Sequence, residues 1–286
     1  MCPVCGAGET RILWRASLPP QIDFTEFSYV GSKKHHGQVV QCDQCTHRFV
    51  HPLPVDSRRM YAQVVDEYYA KTEAQRRRTF GEFLDLKEQF APARGKLLDV
   101  GCNTGIFLEI ARERGYQGEG IELSDWAAGL ARQRGFAVQQ MPLEDIDGAG
   151  VFDVITAFDV LEHLADPLCA LAAAHRLLRS GGCLVATVPD LDAWHARLLG
   201  RHHWLVVLMH FQYFTQKTLD RMVAHARYSR IKIVEAPPYR ARIVDAARYA
   251  QDNALLRLPF AVLSRLPFVK HAEITLKASL FCVAWK

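Results

Sequence analysis

The sequence predicts an α/β fold, a mostly parallel β-sheet interleaved with helices and preceded by a small metal-stapled β-ribbon. Three observations carry that expectation. Residues 96–107, KLLDVGCNTGIF, read as a short apolar strand, a tight glycine turn and the start of a helix. Residues 117–123, QGEGIEL, read as a second strand that ends in an acid, and strand-like and helical runs alternate from there onward, as in a parallel sheet. Near the N-terminus, four of the eight cysteines fall into two CxxC pairs.

At 286 residues the chain has room for one large domain or two small ones. Its 49% hydrophobic and 23% charged content is that of a globular protein. A net charge of +4 permits contact with nucleic acid but does not argue for it, because no face-wide block of Lys and Arg appears. No apolar run reaches the length of a membrane span, and no apolar leader follows Met1, so a reduced cytoplasmic setting is expected. Cys102, Cys169, Cys183 and Cys282 are then expected to be buried small side chains rather than disulfides.

Taken in order, Cys2-Pro-Val-Cys5 and Cys42-Asp-Gln-Cys45 supply four soft ligands for a tetrahedral Zn2+. Four thiolates leave no open coordination position, so the site reads as structural. The 36-residue gap is longer than in the tightest such patterns, which leaves His35, His36 or His47 as substitute ligands. The apolar pairs at 39–40 and 49–50 suit a β-ribbon over residues 1–54, too small to hold itself without a staple. Pro52 and Pro54 end it, and residues 55–95 read as a helical linker or lid with apolar residues at Phe80, Phe83, Leu84, Leu86 and Phe90.

In the first core turn, Asp99 ends the strand, and Gly101, Cys102, Asn103, Thr104 and Gly105 let backbone N–H groups approach a ligand at a helix N-terminus. The turn lacks the lysine and Ser/Thr of a P-loop and the spacing of the dinucleotide fingerprint. Asn103 tolerates left-handed backbone angles. About 20 residues on, Glu122 stands where a doubly wound fold places a carboxylate for ribose hydroxyls, and Leu123 is placed to cover one face of an adenine.

Asp-x-Gly-x-x-x-Gly after a strand resembles the first motif of the class I S-adenosylmethionine-dependent methyltransferases. The resemblance implies S-adenosylmethionine as cofactor, its amino-acid end cradled by Asp99, Gly101, Cys102, Asn103 and Gly105. It implies a Rossmann-like seven-stranded sheet with an antiparallel last strand. It places Asp145, with Glu144 as competitor, at the adenine amino group. It also lets one of Arg76, Arg77 and Arg78, otherwise a solvated face, reach the cofactor carboxylate.

Residues 124–134, 167–178 and 215–226 read as helices, with Ser124, Asp166 and Thr215 as caps, and 191–199 as a short helical piece. Strands are expected at 136–140, 152–157, 183–188, 231–235 and 276–285, the last two paired antiparallel. Phe158 ends one strand facing the ligand crevice and is assigned to the cofactor. The run that follows, DVLEHL, resembles the E-x-x-E-H stretch of the ubiquinone-biosynthesis O-methyltransferases, which has been linked to a divalent metal; here Asp159 replaces the first glutamate. Three roles stand open: His163 as a general base, a metal held by Asp159, Glu162 and His163, or Glu162 and His163 as mere turn caps.

The pattern H-x-x-x-F-T-x-x-T-L from His210 resembles a loop that lines the acceptor site in small-molecule members of the superfamily, so His210 is either a second catalytic candidate or a packed structural histidine. His202 and His203 are expected at the surface. Residues 255–268, with two Leu-Pro-Phe repeats inside an insertion at about 237–275 of a 96–286 catalytic domain, read as a lid, a homodimer surface or a membrane-surface segment.

CxxC…CxxC, a Tyr-rich helix and then DVGCNTG look like a group of bacterial methyltransferases of polysaccharide and secondary-metabolite biosynthesis. The function implied is methyl transfer to a small-molecule acceptor, a biosynthetic intermediate, sugar or secondary metabolite, with O-methylation favoured. One rival is an RNA base methyltransferase that grips RNA with the ribbon, Lys33, Lys34 and Arg76 to Arg78; the absence of an Asn/Asp-Pro-Pro-Tyr motif speaks against it. The other is a non-catalytic, zinc-dependent interaction module, against which the intact Asp99, Gly101, Gly105 and Glu122 speak.

Overall fold

A computed structural model describes residues 1–18, 35–53, 57–242, 257–263, 265–266, 268–269 and 272–286. Lys33, Lys34 and the centre of the expected insertion lie outside these residues. The ribbon strands are β1 (Thr10–Trp14), β2 (Val39–Cys42) and β3 (Arg48–Val50). The expected linker is three helices, α1 (Ser57–Ala62), α2 (Glu67–Lys71) and α3 (Glu73–Phe90), rather than one run. Asp66 separates the first two, its Oδ1 accepting the Tyr69 N–H at 2.9 Å and so starting a new helix.

The core then alternates: β4 (Lys96–Val100), α4 (Ile106–Glu113), β5 (Gln117–Ile121), α5 (Asp125–Gln133), β6 (Val138–Gln139), β7 (Phe152–Phe158), α6 (Pro167–Leu177) and β8 (Leu178–Pro189). After α7 (Trp194–Leu199), β9 (Gln212–Tyr213), α8 (Gln216–His225) and β10 (Arg230–Glu235) come β11 (Tyr239–Arg242), α9 (Arg257–Leu263), β12 (Glu273–Leu276) and β13 (Ser279–Trp285). Seven strands form the main sheet in the order β10-β13-β8-β7-β4-β5-β6. Only β13 runs antiparallel to its neighbours, β8 and β10, so the expected Rossmann-like sheet with an antiparallel last strand is the sheet observed.

The three expected caps form. Ser124 Oγ accepts from Ala127 N, Asp166 from Cys169 N, and Thr215 exchanges bonds with Thr218 in a capping box. β8 starts five residues before the expected strand. Gly181, at φ 76°, and Gly182 lie inside it beside a register shift, so the glycine pair bends a continuing strand. The expected last strand is two: β12 pairs with β11, and only β13 joins the main sheet.

Two burial expectations are corrected. Cys169 is exposed, because the apolar stripe of α6 falls on Ala170, Leu171, Ala173, Ala174 and Leu177. His203 is buried, its Nε2 lying 2.8 Å from His195 Nδ1 and its ring against Trp204, whereas His202 is exposed as expected. In the 255–268 run Leu258, Val262, Leu263, Leu266 and Phe268 are exposed. No helix among the described residues is long and apolar enough to cross a membrane.

The ribbon does not stand apart. β3 pairs antiparallel with β9, two residues contributed from beyond α7, giving a four-stranded sheet β1-β2-β3-β9. Val39 and Val50 share a core with Met60, Leu191, Val206, Met209 and Phe211. The four cysteines close one end of the ribbon.

Candidate active site and cysteine centre

In the cysteine centre, one ligand atom from each of Cys2, Cys5, Cys42 and Cys45 lies within 4.8 Å of the others. Cys2 Sγ is 3.5 Å from Cys45 Sγ, and Cys5 Sγ is 3.6 Å from Cys42 Sγ. Zn–S bonds of about 2.3 Å put tetrahedral sulfurs roughly 3.8 Å apart, so the cradle fits Zn2+ after slight expansion. The Cys42 thiol is pulled down to about 7, its backbone and Cys5 hydrogen bonds outweighing the opposing effect of burial. His47 is not in this group. It is wholly buried and faces Gln212 instead.

The expected cofactor side lies at the carboxyl ends of β4, β5 and β7. The turn after β4 folds back on β5, Gly101 and Cys102 N–H groups donating to Ile121 O at 2.8 and 3.0 Å. Asn103 takes the left-handed conformation expected of it, φ 46°. Its N–H donates to Glu122 Oε2 at 3.0 Å, and Ser124 N–H donates to Glu122 Oε1 at 2.8 Å, fixing that carboxylate. Burial nevertheless raises the Glu122 pKa. Gly105, at φ 81°, would be strained by any side chain, and a Cβ there would press against that of Ala131 at 3.1 Å.

Asp99 is buried and accepts from Thr156 Oγ1 at 2.7 Å. Burial pushes its carboxyl up to about 7; the Thr156 bond lowers it and the neighbouring Glu122 charge raises it further. Cys102 points away from the crevice, into β5 at Gly120, so only its backbone faces a ligand. Leu123 is half-buried beside Glu122. Asp145 is exposed on a single 3-10 turn, and Glu144 is half-buried. Phe158 packs in an aromatic cluster with Phe80, Phe83 and Phe107, at 5.9, 5.0 and 4.9 Å between ring centroids.

The three arginines separate cleanly. Arg77 bonds Glu109 and Glu113 at 3.0 and 2.6 Å, and Arg78 lies near Glu82 and Glu273. Arg76 instead lies over the Tyr69 ring, 3.5 Å from its centroid, with Nε donating to Thr72 Oγ1 at 3.2 Å. Tyr69 is within electrostatic reach of Arg76, Asp99, Glu122 and Asp159, and burial raises its pKa. Sequence reasoning passed over Tyr69; the Tyr68-Tyr69 pair ahead of the arginines was the signal for it.

The expected acceptor side centres on a 3-10 turn after β7, Leu161–His163. Here Glu162, His163 and His210 converge, one ligand atom of each within 4.8 Å of the others. Asp159 does not join them. Its backbone is left-handed, φ 53°, and its Oδ1 accepts from Thr187 Oγ1 at 2.8 Å. Glu162 is 1% exposed and packed, not a surface turn cap.

His163 Nδ1 is 2.9 Å from Met209 O, and His210 Nδ1 is 2.8 Å from Leu205 O. A carbonyl oxygen only accepts, so each imidazole carries its proton on Nδ1 and keeps a lone pair on Nε2. Tyr61 OH, 2.5 Å from His163 Nδ1, shares that proton. The rings meet edge to face at 4.6 Å, and His163 Nε2 is 4.0 Å from Glu162 Oε1. Glu162 Oε2 and His210 Nε2 are buried without a hydrogen-bond partner. Burial lowers the His163 pKa to about 4 and, with the His163 charge, lowers that of His210 well below its usual range. Burial, and secondarily Asp159, raises Glu162 well above the carboxylate range. At neutral pH both imidazoles are uncharged, and burial shifts the neighbouring acid toward its protonated form.

A family model for a methyltransferase domain matches residues 73–229. The ubiquinone biosynthesis O-methyltransferase of Pseudomonas aeruginosa (strain LESB58) is 35% identical over 105 residues, 34% of this chain and 45% of that protein. Its namesake from Psychrobacter cryohalolentis is 31% identical over 156 residues, 49% of this chain and 61% of that protein. The chain thus spans about half the length of these relatives. Among solved structures, an S-adenosylmethionine-dependent methyltransferase from Thermotoga maritima, a possible histamine N-methyltransferase, superposes with a TM-score of 0.53 at 18% identity, over 77% of this chain and 95% of that one, which speaks to the fold alone.

Proposed function

Because this chain belongs to the methyltransferase-domain family, we propose that it transfers a methyl group from S-adenosylmethionine to a hydroxyl oxygen of a small-molecule acceptor. The observation that carries the oxygen assignment is the pair of buried imidazoles, each pinned through Nδ1 to a backbone carbonyl and each keeping an unprotonated Nε2 as a proton acceptor. The names of the partly matching relatives, O-methyltransferases, support the same choice. The cofactor, when bound, supplies a methyl group already activated by its sulfonium.

The chain's own part is alignment and proton removal. Asp99, Asn103 and the Gly101–Gly105 backbone hold the amino-acid end, and Arg76 meets its carboxylate. Glu122 takes the ribose hydroxyls, with Leu123 beside the base and Asp145 at its rim. With the cofactor bound, its sulfonium would supply the methyl group to the acceptor oxygen, and Nε2 of His163 or His210 would take the hydroxyl proton. The four thiolates hold a structural Zn2+. Arg76→Ala is expected to weaken S-adenosylmethionine about 10- to 100-fold, the scale of one hydrogen bond to a charged group, and Arg77→Ala less than threefold. Calorimetry reads both.

A second reading of the acceptor half rests on the two unpartnered atoms, Glu162 Oε2 and His210 Nε2. One carboxylate and two imidazoles suit a divalent transition cation, held by Glu162, His163 and His210, that would polarise the acceptor hydroxyl. The test is calorimetry with S-adenosylmethionine and S-adenosylhomocysteine, metal counting on the same sample, and a screen of hydroxyl acceptors for methylated product. Under the base reading, turnover survives removal of labile divalent cations and Glu162→Gln keeps most of it. Under the cation reading, turnover falls at least 100-fold in both. Failure of the zinc-loaded chain to bind the cofactor overturns the enzyme assignment in favour of an interaction module.

A further inference from the structure

We propose that the ribbon latches the acceptor site: His47 and Gln212 are positioning residues through which metal occupancy of the four-cysteine centre holds Glu162, His163 and His210 in place. The juxtaposition is continuous. His47 follows Cys45 by two residues, and its backbone carbonyl accepts the Cys42 N–H at 2.8 Å, tying it into the knuckle. Its side chain is fully buried, with Nε2 3.1 Å from Gln212 Oε1. The Gln212 amide nitrogen donates to Leu164 O at 2.9 Å, so its oxygen accepts and His47 donates. Leu164 adjoins His163.

A parallel line runs through the backbone. Phe49 pairs with Gln212 across β3 and β9. Val50 N–H donates to Phe211 O at 2.8 Å, and Phe211 N–H donates to Glu162 O at 2.7 Å. His210 immediately precedes this stretch. All three members of the acceptor group are therefore one or two residues from a bond that leads to the ribbon. The cofactor half hangs on different bonds, among β4, β5 and β7. Loss of the metal frees the knuckle and with it the 161–164 turn and the 210–213 strand, while the turn at 101–105 keeps its supports.

The proposal rests on reading Glu162, His163 and His210 as the acceptor side, but its test needs no acceptor. Full-length chain labelled with 15N-histidine is compared zinc-loaded, zinc-stripped by chelation, and as zinc-loaded Gln212→Leu; His163→Gln and His210→Gln assign the two ring signals. In the loaded chain both rings are Nδ1–H tautomers bonded to Met209 O and Leu205 O. Stripping, and Gln212→Leu alone, are expected to shift both Nδ1–H signals and to speed exchange of those protons with solvent at least tenfold, while S-adenosylmethionine affinity changes less than threefold. Unchanged ring signals in Gln212→Leu overturn the latch, and so does a cofactor affinity that falls in parallel, which marks general loosening. Should the stripped chain unfold, Gln212→Leu decides alone, because it leaves the cysteines intact. A loaded chain that never binds cofactor fails the enzyme reading and leaves the ring comparison standing.

Discussion

Asp99→Asn is expected to weaken S-adenosylmethionine binding about 10- to 100-fold and to remove the part of its pH dependence that Asp99 carries. The side chain keeps its shape and its Thr156 partner, so the loss reports charge alone. A hydrogen bond or ion pair to a charged group in such a setting contributes about 1.5–3 kcal/mol, which sets the size. In the empty protein Asp99 titrates near 7, because burial disfavours its charged form. A cationic ligand favours the charged form, so binding expels a proton wherever the free carboxyl is still protonated. Affinity should therefore rise between about pH 6 and 7.5 and level off above.

Folding has the opposite sign. A carboxyl whose pKa is raised from 3.8 to about 7 stabilises the empty fold at low pH, and that contribution fades as pH rises through 7. Calorimetry in buffers of different ionisation enthalpy reads proton release of up to one per cofactor at pH 6.5 in the parent and correspondingly less in the variant. A parent affinity that is flat with pH removes Asp99 from the cofactor site.

Gly120→Ala is the second large effect. The backbone there sits in β5 directly under the cofactor turn, and an added Cβ would lie 2.5 Å from Cys102 Sγ and 2.8 Å from Cys102 Cβ. Rotation about χ1 can move Sγ aside, but Cβ is fixed to the backbone, so the turn itself must move. Overpacking of this kind costs about 1–3 kcal/mol. A shift of 1 Å in the turn also moves the Asn103 N–H away from Glu122, so cofactor affinity is expected to fall at least tenfold. Cys102→Gly removes both clashing atoms. The double variant should recover most of the cofactor affinity, and denaturant unfolding should show a favourable coupling of at least 1 kcal/mol. Independent, additive losses would mean that the clash is relieved elsewhere.

The cofactor side of this molecule was legible because its determinants are local. One strand, one turn and one acid about 20 residues on carry it, and Asn103 advertises its left-handed angle through its residue type. The antiparallel β13 was readable as a long apolar run with no crossover helix evident just before it. The acceptor side was half legible. Glu162 and His163 announce themselves as neighbours, but His210 stands 47 residues away and reaches them only through tertiary packing. Asp159 looked like their partner by spacing and is turned aside by its backbone angle. Tyr61 belongs to no motif and meets His163 by the placement of α1. β9 was invisible, since two residues carry no periodicity and its partner β3 lies over 160 positions earlier.

That separation has a consequence for how the chain is made. β3 emerges from the ribosome early, but the strand that covers its edge follows only after residue 213. At about 5–20 residues per second, the ribbon spends roughly 8–30 seconds with one edge bare. An uncovered edge is a template for pairing with other chains. Cys2, Cys5, Cys42 and Cys45 are all synthesised before that interval begins, so the nascent ribbon can take up its ion and stiffen while it waits. Metal starvation during synthesis would then show first as aggregated product, ahead of any change in the activity of molecules already finished.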